Sequence, residues 1–347
     1  MDSGSIAALL TLSIEYEPET FTKVCSQSVE SQLKATAMNN PFNINHVHRN
    51  TRATRTWRFL NCIVSASLLI FGGATLSVAQ EVAKGKSIAV KKPIPDRLVV
   101  LTFDDSAKTH FTTVRPILLT YGFGATFFIT EGWDFATNKK DYMSWQEIAQ
   151  LHRDGFEIGN HTRDHLGIND KNVTKLSEQL KGIEDRCAEN GIPKPVSFAW
   201  PGNATSLLAF DALRKHGIIF ARRGGAPEHS YESGWGFAYE PGLDHPHLLP
   251  SAGDAKPKWE LADFVRAVSQ ARDGRPAILQ FHGVPDTAHD WVSTSIERFR
   301  GYLHYLASEK YKVIALRDLA PLVDASVVPD DPLRIIEQRK KSIATSR

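Results

Sequence analysis

Two adjacent carboxylates, Asp104 and Asp105, stand directly after the apolar run Arg97–Phe103 (RLVVLTF). A buried strand that stops at an Asp-Asp pair delivers acid groups to the rim of a parallel sheet, where loops can hold polar side chains that a packed interior could not. The plainer reading is that one Asp caps the helix that follows. Asn160-His161-Thr162-Arg163-Asp164-His165 also follows a strand-like stretch, and its two histidines are four residues apart. On one face of a helical turn, both imidazoles reach a single cation at the ~2.0 Å Zn–N distance. The spacing alone is weak, because 13 His in 347 residues yield about half of one such pair by chance. Joined to a strand-end Asp pair, it becomes a site of two His and one carboxylate with open positions for water and substrate, suited to zinc or a similar divalent ion.

Two more strand ends carry polar motifs. Val196–Trp200 leads into Pro201-Gly202-Asn203, where the glycine lets backbone N–H groups approach a ligand, or simply makes a turn. Ala277–Phe281 leads into His282-Gly283, a single His that reads as an acid/base group or as a hydrogen-bonded core residue. Asp244-His245-Pro246-His247 has metal-ligand types, but its Pro and loop setting read as a rigid turn.

The elements that must position these groups form a long β-α alternation. Strands are expected at 97–103, 125–130, 156–159, 196–200, 218–222, 277–281 and 312–316. Helices are expected at 111–121, from the capping box Ser144-Trp145-Gln146-Glu147 to Gly155, and at 173–190, 205–216, 259–272 and 291–308. Such alternation means parallel strands, and the fold class is α/β: seven or so strands in a (β/α) barrel or an open doubly wound sheet. Residues 223–257 break the rhythm with Gly, Pro and His and read as a long functional loop. The tail 328–347 is polar and basic and reads as a solvated helix or a disordered end.

The 41 Lys+Arg against 39 Asp+Glu leave a formal charge of +2, too little for a phosphate-binding surface, so nucleic acid is not an expected partner. Cys25, Cys62 and Cys187 share no close spacing, which excludes a CxxC redox pair and a cysteine zinc site. Residues 49–58 carry four arginines and no acid, and Phe59–Ala79 contains no charge. That order is a secretion signal with Ser77-Val78-Ala79 as its cleavage point, or an uncleaved membrane anchor, or a core helix. The expected organisation is a leader at 1–48 (disordered, or preceding a true start at Met38), a signal peptide or anchor at 49–79, a linker at 80–96, a catalytic domain at 97–327 and the tail. A secreted, periplasmic or envelope location follows, with membrane contact only through the anchor.

TFDD, HTRDH, FAWPG and QFHG in that order, with YGFGATFFIT after the first, resemble the polysaccharide deacetylase family, the NodB-homology domain of carbohydrate esterase family 4, over roughly residues 97–325. The resemblance implies a distorted (β/α) barrel of about seven parallel strands and metal-dependent removal of acetyl groups from an acetylated carbohydrate. By motif, Asp104 corresponds to the general base, His282 to the general acid, and Asp105, His161 and His165 to ligands of a divalent metal, Zn2+ first with Co2+ or another ion as alternatives. Trp200, Pro201, Gly202 and Trp235 are the expected substrate-binding residues, and Trp133, Trp145 and Trp291 could also stack on sugar rings. The chain departs from the family pattern at Ala199, where an Arg is usual, at Gln280 in place of Leu, and at Ser106 in place of Gly. Its nearest counterpart to the Asp-Trp fourth motif is Ser233-Gly234-Trp235, which lacks the carboxylate. Asp244, Asp254 and Asp286 are the unranked carboxylates that could back His282. The expected activity is N-deacetylation of a polysaccharide or oligosaccharide; the alternatives are an O-acetyl esterase and a carbohydrate-binding envelope protein without turnover.

Overall fold

The computed structural model describes residues 89–345. The leader, the signal or anchor segment and most of the expected linker lie outside the described residues.

Eight strands, all paired in parallel, make one curled sheet. In chain order the elements are β1 (Leu98–Phe103), α1 (Arg115–Tyr121), β2 (Thr126–Ile129), α2 (Trp145–Arg153), β3 (Glu157–Asn160), α3 (Leu176–Glu189), β4 (Ser197–Ala199), α4 (Phe210–Lys215), β5 (Phe220–Arg222), β6 (Gly253–Asp254), α5 (Leu261–Val268), β7 (Ala277–Phe281), α6 (Ile296–Ser308), β8 (Lys312–Ile314) and α7 (Arg334–Thr345). β1 is the centre. It pairs with β7 along its length from Val99↔Ala277 to Phe103↔Phe281. Its other edge is shared, with β8 on Leu98–Val100 and β2 on Thr102–Phe103. Closure comes from the long loop: Leu249 bridges Arg222 at the end of β5, and four residues later Gly253–Asp254 pairs with Leu279–Gln280 of β7. An open doubly wound sheet is thereby ruled out. Seven strands run round a distorted barrel, and β8 is wedged in below β2.

Every side chain of β1 is buried, as a strand covered on both faces requires. Val99, Leu101 and Phe103 pack outward with Phe127, Phe281 and Phe299 under the helices, while Leu98 and Val100 pack inward with Phe128, Phe220 and Ile278. The two-residue period carries past the strand end, so Asp104, in the inward series, continues into the barrel mouth. Glu157 of β3 is a buried polar knot inside the sheet. It accepts from the hydroxyls of Thr126 and Ser197 on the two neighbouring strands and from the N–H of Arg317. Burial raises its pKa against those hydrogen bonds. The capping box of α2 forms as the sequence predicts, with Ser144 accepting from the Glu147 N–H.

Two expectations need correction. Residues 89–96, read as the end of a linker, are packed: Val90 bridges Val323, and Ala89 and Ile94 are buried, Ile94 against Leu319 and Val323 in the inner core. The tail is not a solvated end either. α7 buries Ile336 and Arg339, and Arg339 makes a two-pronged ion pair with Asp244 at 2.6 and 2.8 Å, side chains 8% and 1% exposed. Glu228, 3.8 Å from Arg339, is itself forked onto Arg223 at 2.6 and 2.8 Å. The polar composition of the tail hid a guanidinium whose partner is buried almost a hundred residues away. Asp244 is thus committed to α7, and His245 and His247 pack on the ring of Phe210, so 244–247 forms the rigid turn the sequence suggested. No helix among the described residues is long and apolar enough to cross a membrane.

Removing one member of a buried ion pair strands the other charge. Arg339→Met is expected to lower unfolding free energy by about 3–5 kcal/mol in denaturant titration, and the Arg339→Met/Asp244→Leu double variant to recover more than half of that loss.

Candidate functional site

Four strand ends and the loop that closes the barrel converge on one cavity, lined among others by Asp104, Asp105, His161, His165, Gly202 and His282. Asp105 follows β1 with φ 74°, Ser106 with φ 58°, Thr162 with φ 57° and His165 with φ 52°. Non-glycine residues in the left-handed region cost about 1–3 kcal/mol each and gather where a site dictates the backbone. Ser106 occupies such a position, which accounts for the glycine common there in the resembling family. Its hydroxyl compensates by donating to the Thr130 carbonyl and accepting from the Thr130 N–H, at 2.8 and 2.9 Å.

The sequence places His161 and His165 together by helical spacing, and here the structure differs. The segment is a non-helical turn, set by Asn160 Oδ1 accepting from the Thr162 N–H at 3.0 Å and by the left-handed Thr162. The imidazoles meet all the same. Each Nε2 lies 3.2 Å from Asp105 Oδ1, and the three ligand-type atoms fall within 4.8 Å of one another. Neither contact is aligned as a hydrogen bond, so Oδ1 is a buried oxygen with no hydrogen-bond partner. Three ligand-type atoms converging on one point are what a divalent cation requires. Two atoms each ~2.0 Å from a tetrahedral ion stand roughly 3.3 Å apart, so this donor set fits zinc or cobalt. His161 Nδ1 sits 2.9 Å from the Ala199 carbonyl, which orients the ring and turns Nε2 to the site. Burial pushes the Asp105 carboxyl up, but the two imidazoles, with His282 behind them, hold it well below the usual carboxylate range.

Asp104 is 1% exposed and faces a different partner. Arg222 Nη2, at the end of β5, donates to both of its carboxylate oxygens at 2.6 Å, and Gln280 Nε2 donates at 3.1 Å. Arg222 is the register partner of Ala199. The guanidinium that the family pattern puts on β4 is therefore supplied from the next strand, one ladder position across, with its plane 5.3 Å over the Phe128 ring. Gln280, the other departure, is the second donor. Arg222 went unnoticed in the sequence, although Ile218–Arg222 ends a strand as the recognised motifs do, and the Ala199 vacancy was the cue to look for an arginine on a neighbour.

His282 Nε2 stands 3.7 Å from Asp105 Oδ2, and its Nδ1 stands 3.8 Å from Asp254 Oδ1. Of the three unranked carboxylates, Asp254 is the one at His282. Asp244 belongs to Arg339, and Asp286 accepts from the backbone of Gly283 and His289. Asp254 also pairs with buried Lys256 at 2.6 Å, whose ammonium rests 3.4 Å over the Tyr231 ring. Ser233-Gly234-Trp235 does not supply the missing carboxylate; Gly234 lies against the Asp254 backbone, leaving no room for a Cβ.

The expected sugar-binding residues divide. Trp200 and Gly202 line the cavity, Trp200 almost wholly buried with its indole N–H donated to the His247 carbonyl. Pro201 is buried and is not part of the lining. Trp235 is a correction: it stands outside the cavity with the Arg266 guanidinium 4.4 Å over its ring. Trp145 packs beneath Arg186 and donates to Glu131, as a helix-start residue would. Trp133 and Trp291 do line the cavity, with Tyr231 and His289 beside them.

Calorimetric titration with Co2+ is expected to give one site per chain. Asp105→Ala and His161→Ala should each weaken it by more than about a hundredfold, beyond the 10–100-fold typical of residues that only orient ligands.

Among known proteins, the polysaccharide deacetylase family profile matches residues 91–221. A peptidoglycan-N-acetylglucosamine deacetylase of Bacillus cereus is 27% identical over 126 residues, 36% of this chain and 55% of that protein. A poly-beta-1,6-N-acetyl-D-glucosamine N-deacetylase of Escherichia coli is 30% identical over 91 residues, 22% of this chain and 14% of that protein. The chain thus spans about half the length of the first and a small part of the second. Among solved structures, a family 4 acetyl xylan esterase of Clostridium thermocellum in complex with cobalt is similar at a TM-score of 0.45 and 21% identity, over 68% of this chain and 94% of that one. A family 4 carbohydrate esterase of Bacillus subtilis is similar at 0.46 and 18%, over 70% and 88%. Residues 91–221, which carry the Asp-Asp and His-x-x-x-His motifs, are thus similar to the polysaccharide deacetylase family.

Proposed function

We propose that this protein is a metal-dependent hydrolase that removes N-acetyl groups from a glycan of N-acetylated sugars. One observation carries the reading: a three-ligand set is flanked in the same cavity by a carboxylate that is no part of it, Asp104, and by an imidazole backed by its own carboxylate, His282 with Asp254. The activities of the two relatives, one on the N-acetylglucosamine of peptidoglycan and the other on poly-beta-1,6-N-acetyl-D-glucosamine, support that substrate class.

An amide resists hydrolysis because its carbonyl is a poor electrophile and its amine a poor leaving group. Asp105, His161 and His165 would hold the divalent ion, which when bound supplies Lewis acidity toward the acetyl oxygen and toward a water. Asp104 accepts the proton of that water as its oxygen forms the new bond to the acetyl carbon. Arg222 and Gln280 keep the base in place: three hydrogen bonds from two strands leave it little freedom to swing. His282 hands a proton to the sugar nitrogen as the C–N bond breaks, with the Asp254 carboxylate 3.8 Å behind its Nδ1. Acetate and a free amine result. Under this reading the segment 49–79 sends the enzyme to the cell envelope or beyond, where such glycans lie.

Acetate release from N-acetylglucosamine tetramer with added Zn2+ or Co2+ tests the reading. Asp104→Asn and His282→Ala are expected to lower kcat by about 10²–10⁴-fold, His282→Ala more on the amide than on an O-acetylated xylan oligomer, whose leaving group needs less help. Unchanged turnover in Asp105→Ala overturns the mechanism. Arg222→Lys, which cannot reach both carboxylate oxygens, should lower kcat by about 10–100-fold with KM nearly unchanged. An Arg222 that served packing alone would move neither.

A further inference from the structure

Beyond Asp105 the chain runs through Thr109 into a single π-helical turn, His110–Val114, which leads into α1. Thr109 and the first residue of that turn reach across to the loop by which the chain leaves β7. His110 Nε2 lies 3.2 Å from the His282 carbonyl. The Thr109 hydroxyl accepts from the Val284 N–H at 2.9 Å and donates to the Pro285 carbonyl at 3.0 Å. The segment after one strand of the site thus fastens the backbone after another.

The chemistry of His110 does not suit its surroundings unless it serves that contact. The ring is fully buried, with Phe103 and Phe127 at 5.6 and 5.5 Å between centroids, and its Nδ1 has no hydrogen-bond partner among the described residues. Burial pushes its pKa down to about 4, so at neutral pH the ring has one proton to place. A carbonyl oxygen only accepts, which puts that proton on Nε2 and leaves Nδ1 as a bare acceptor among phenyl rings. An orphan acceptor in a core costs stability that a phenyl of similar shape would not. What the imidazole gains over a phenyl is the bond to His282. That bond matters because the His282 ring makes no hydrogen bond of its own among the described residues. Its nitrogens stand 3.7 Å from Asp105 and 3.8 Å from Asp254, beyond hydrogen-bond reach, and its Nδ1 is unpartnered. The place of the ring is set by the backbone from which it springs.

We propose that His110 is a positioning residue for His282: its Nε2–H bond to the His282 carbonyl, reinforced by the Thr109 hydroxyl, clamps the loop so that the His282 ring meets the leaving nitrogen. The inference rests on the deacetylase reading and deepens it by naming the buried group on which proton delivery depends. It carries a signature. A displaced acid harms a bond whose leaving group must be protonated and largely spares one whose leaving group departs with less help, so loss of the clamp falls on the amide more than on the ester. Loss of folded protein lowers both alike.

Acetate release is measured on N-acetylglucosamine tetramer and on an O-acetylated xylan oligomer, with Co2+ added. His110→Phe, which keeps a ring and removes the donor, is expected to lower kcat on the amide by about 10–100-fold with KM within about twofold, and kcat on the ester by less than about threefold. His110→Gln, whose amide nitrogen reaches the position of Nε2, should recover most of the loss. Thr109→Val, nearly isosteric, should show the same amide-selective loss at smaller size, and it stands in if His110→Phe does not fold. In the unaltered protein, nitrogen NMR spectra of the histidine rings at neutral pH should show His110 as the Nε2–H tautomer. An Nδ1–H tautomer, equal losses on the two substrates, or a His110→Gln no better than His110→Phe overturns the clamp. The Nε2–H tautomer with no acetate released from the tetramer keeps the clamp and overturns the deacetylase reading, whereas the Nδ1–H tautomer with no release overturns both.

Discussion

Two carboxylates adjacent in the chain are buried here to 1% and 6% exposure, and everything else at the barrel mouth answers the electrostatic problem this creates. Like charges a few ångströms apart in a medium of low dielectric repel strongly, and neither can be sheltered by water. The fold separates their partners. The alternation of β1 turns Asp104 inward to Arg222 and Gln280, and the left-handed backbone at Asp105 swings the next side chain away, to His161 and His165. One carboxylate is compensated by a fixed guanidinium, and the other faces imidazoles in a ligand set shaped for a cation. The same division assigns their chemistry, since a ligand cannot also be the base that takes a proton from water.

How much of this was legible follows from range. Strand ends were readable because a buried parallel strand is a short, nearly unbroken apolar run, and the polar residue that stops it is visible by contrast; Asp104, His161 and His282 were found in this way. Helical spacing was the wrong reason for pairing His161 with His165, since the turn is made by Asn160 and a left-handed Thr162, and a single sequence does not display a positive φ outside glycine. Arg222 escaped because its partner is 118 residues earlier, and only the register of β4 against β5 reveals that it replaces the missing side chain at Ala199. Asp254 could not be ranked above Asp244 and Asp286 for a similar reason. All three sit in stretches of sequence rich in Gly, Pro and His, and what distinguishes them is the partner each meets in the fold: Arg339 for Asp244, backbone N–H groups for Asp286, and His282 with Lys256 for Asp254.

The tail shows composition misleading in the opposite direction. A basic, polar end reads as solvated, and the rule holds for most of α7. Arg339 breaks it because the long loop carries two buried acids, Glu228 and Asp244, that need positive charge, and Arg223 reaches only the first. The helix therefore belongs to the barrel through a charge requirement together with Ile336, which is buried in the core beside Phe210 and Leu213. Residues 223–257 are held on one side by that network and on the other by the Leu249 and Gly253 pairings, which is why a loop of such composition can present Tyr231, Asp254 and Lys256 at fixed places.

The boundary of the family match falls at residue 221, one position before the arginine that holds Asp104. Upstream lie the two aspartates and the two histidines, three of which form the candidate ion site, and these are tied to β1 and β3 in the middle of the sheet. Downstream lie Arg222, Asp254 and His282, carried by β5, the short closing strand β6 and the end of β7. The candidate ion site and His282 are thus anchored on β1 and the strands nearest it, whereas Arg222 and Asp254 are carried by short strands that do not pair with β1. In this chain the guanidinium stands one strand over from Ala199, while the pair of buried carboxylates keeps its place at the end of β1.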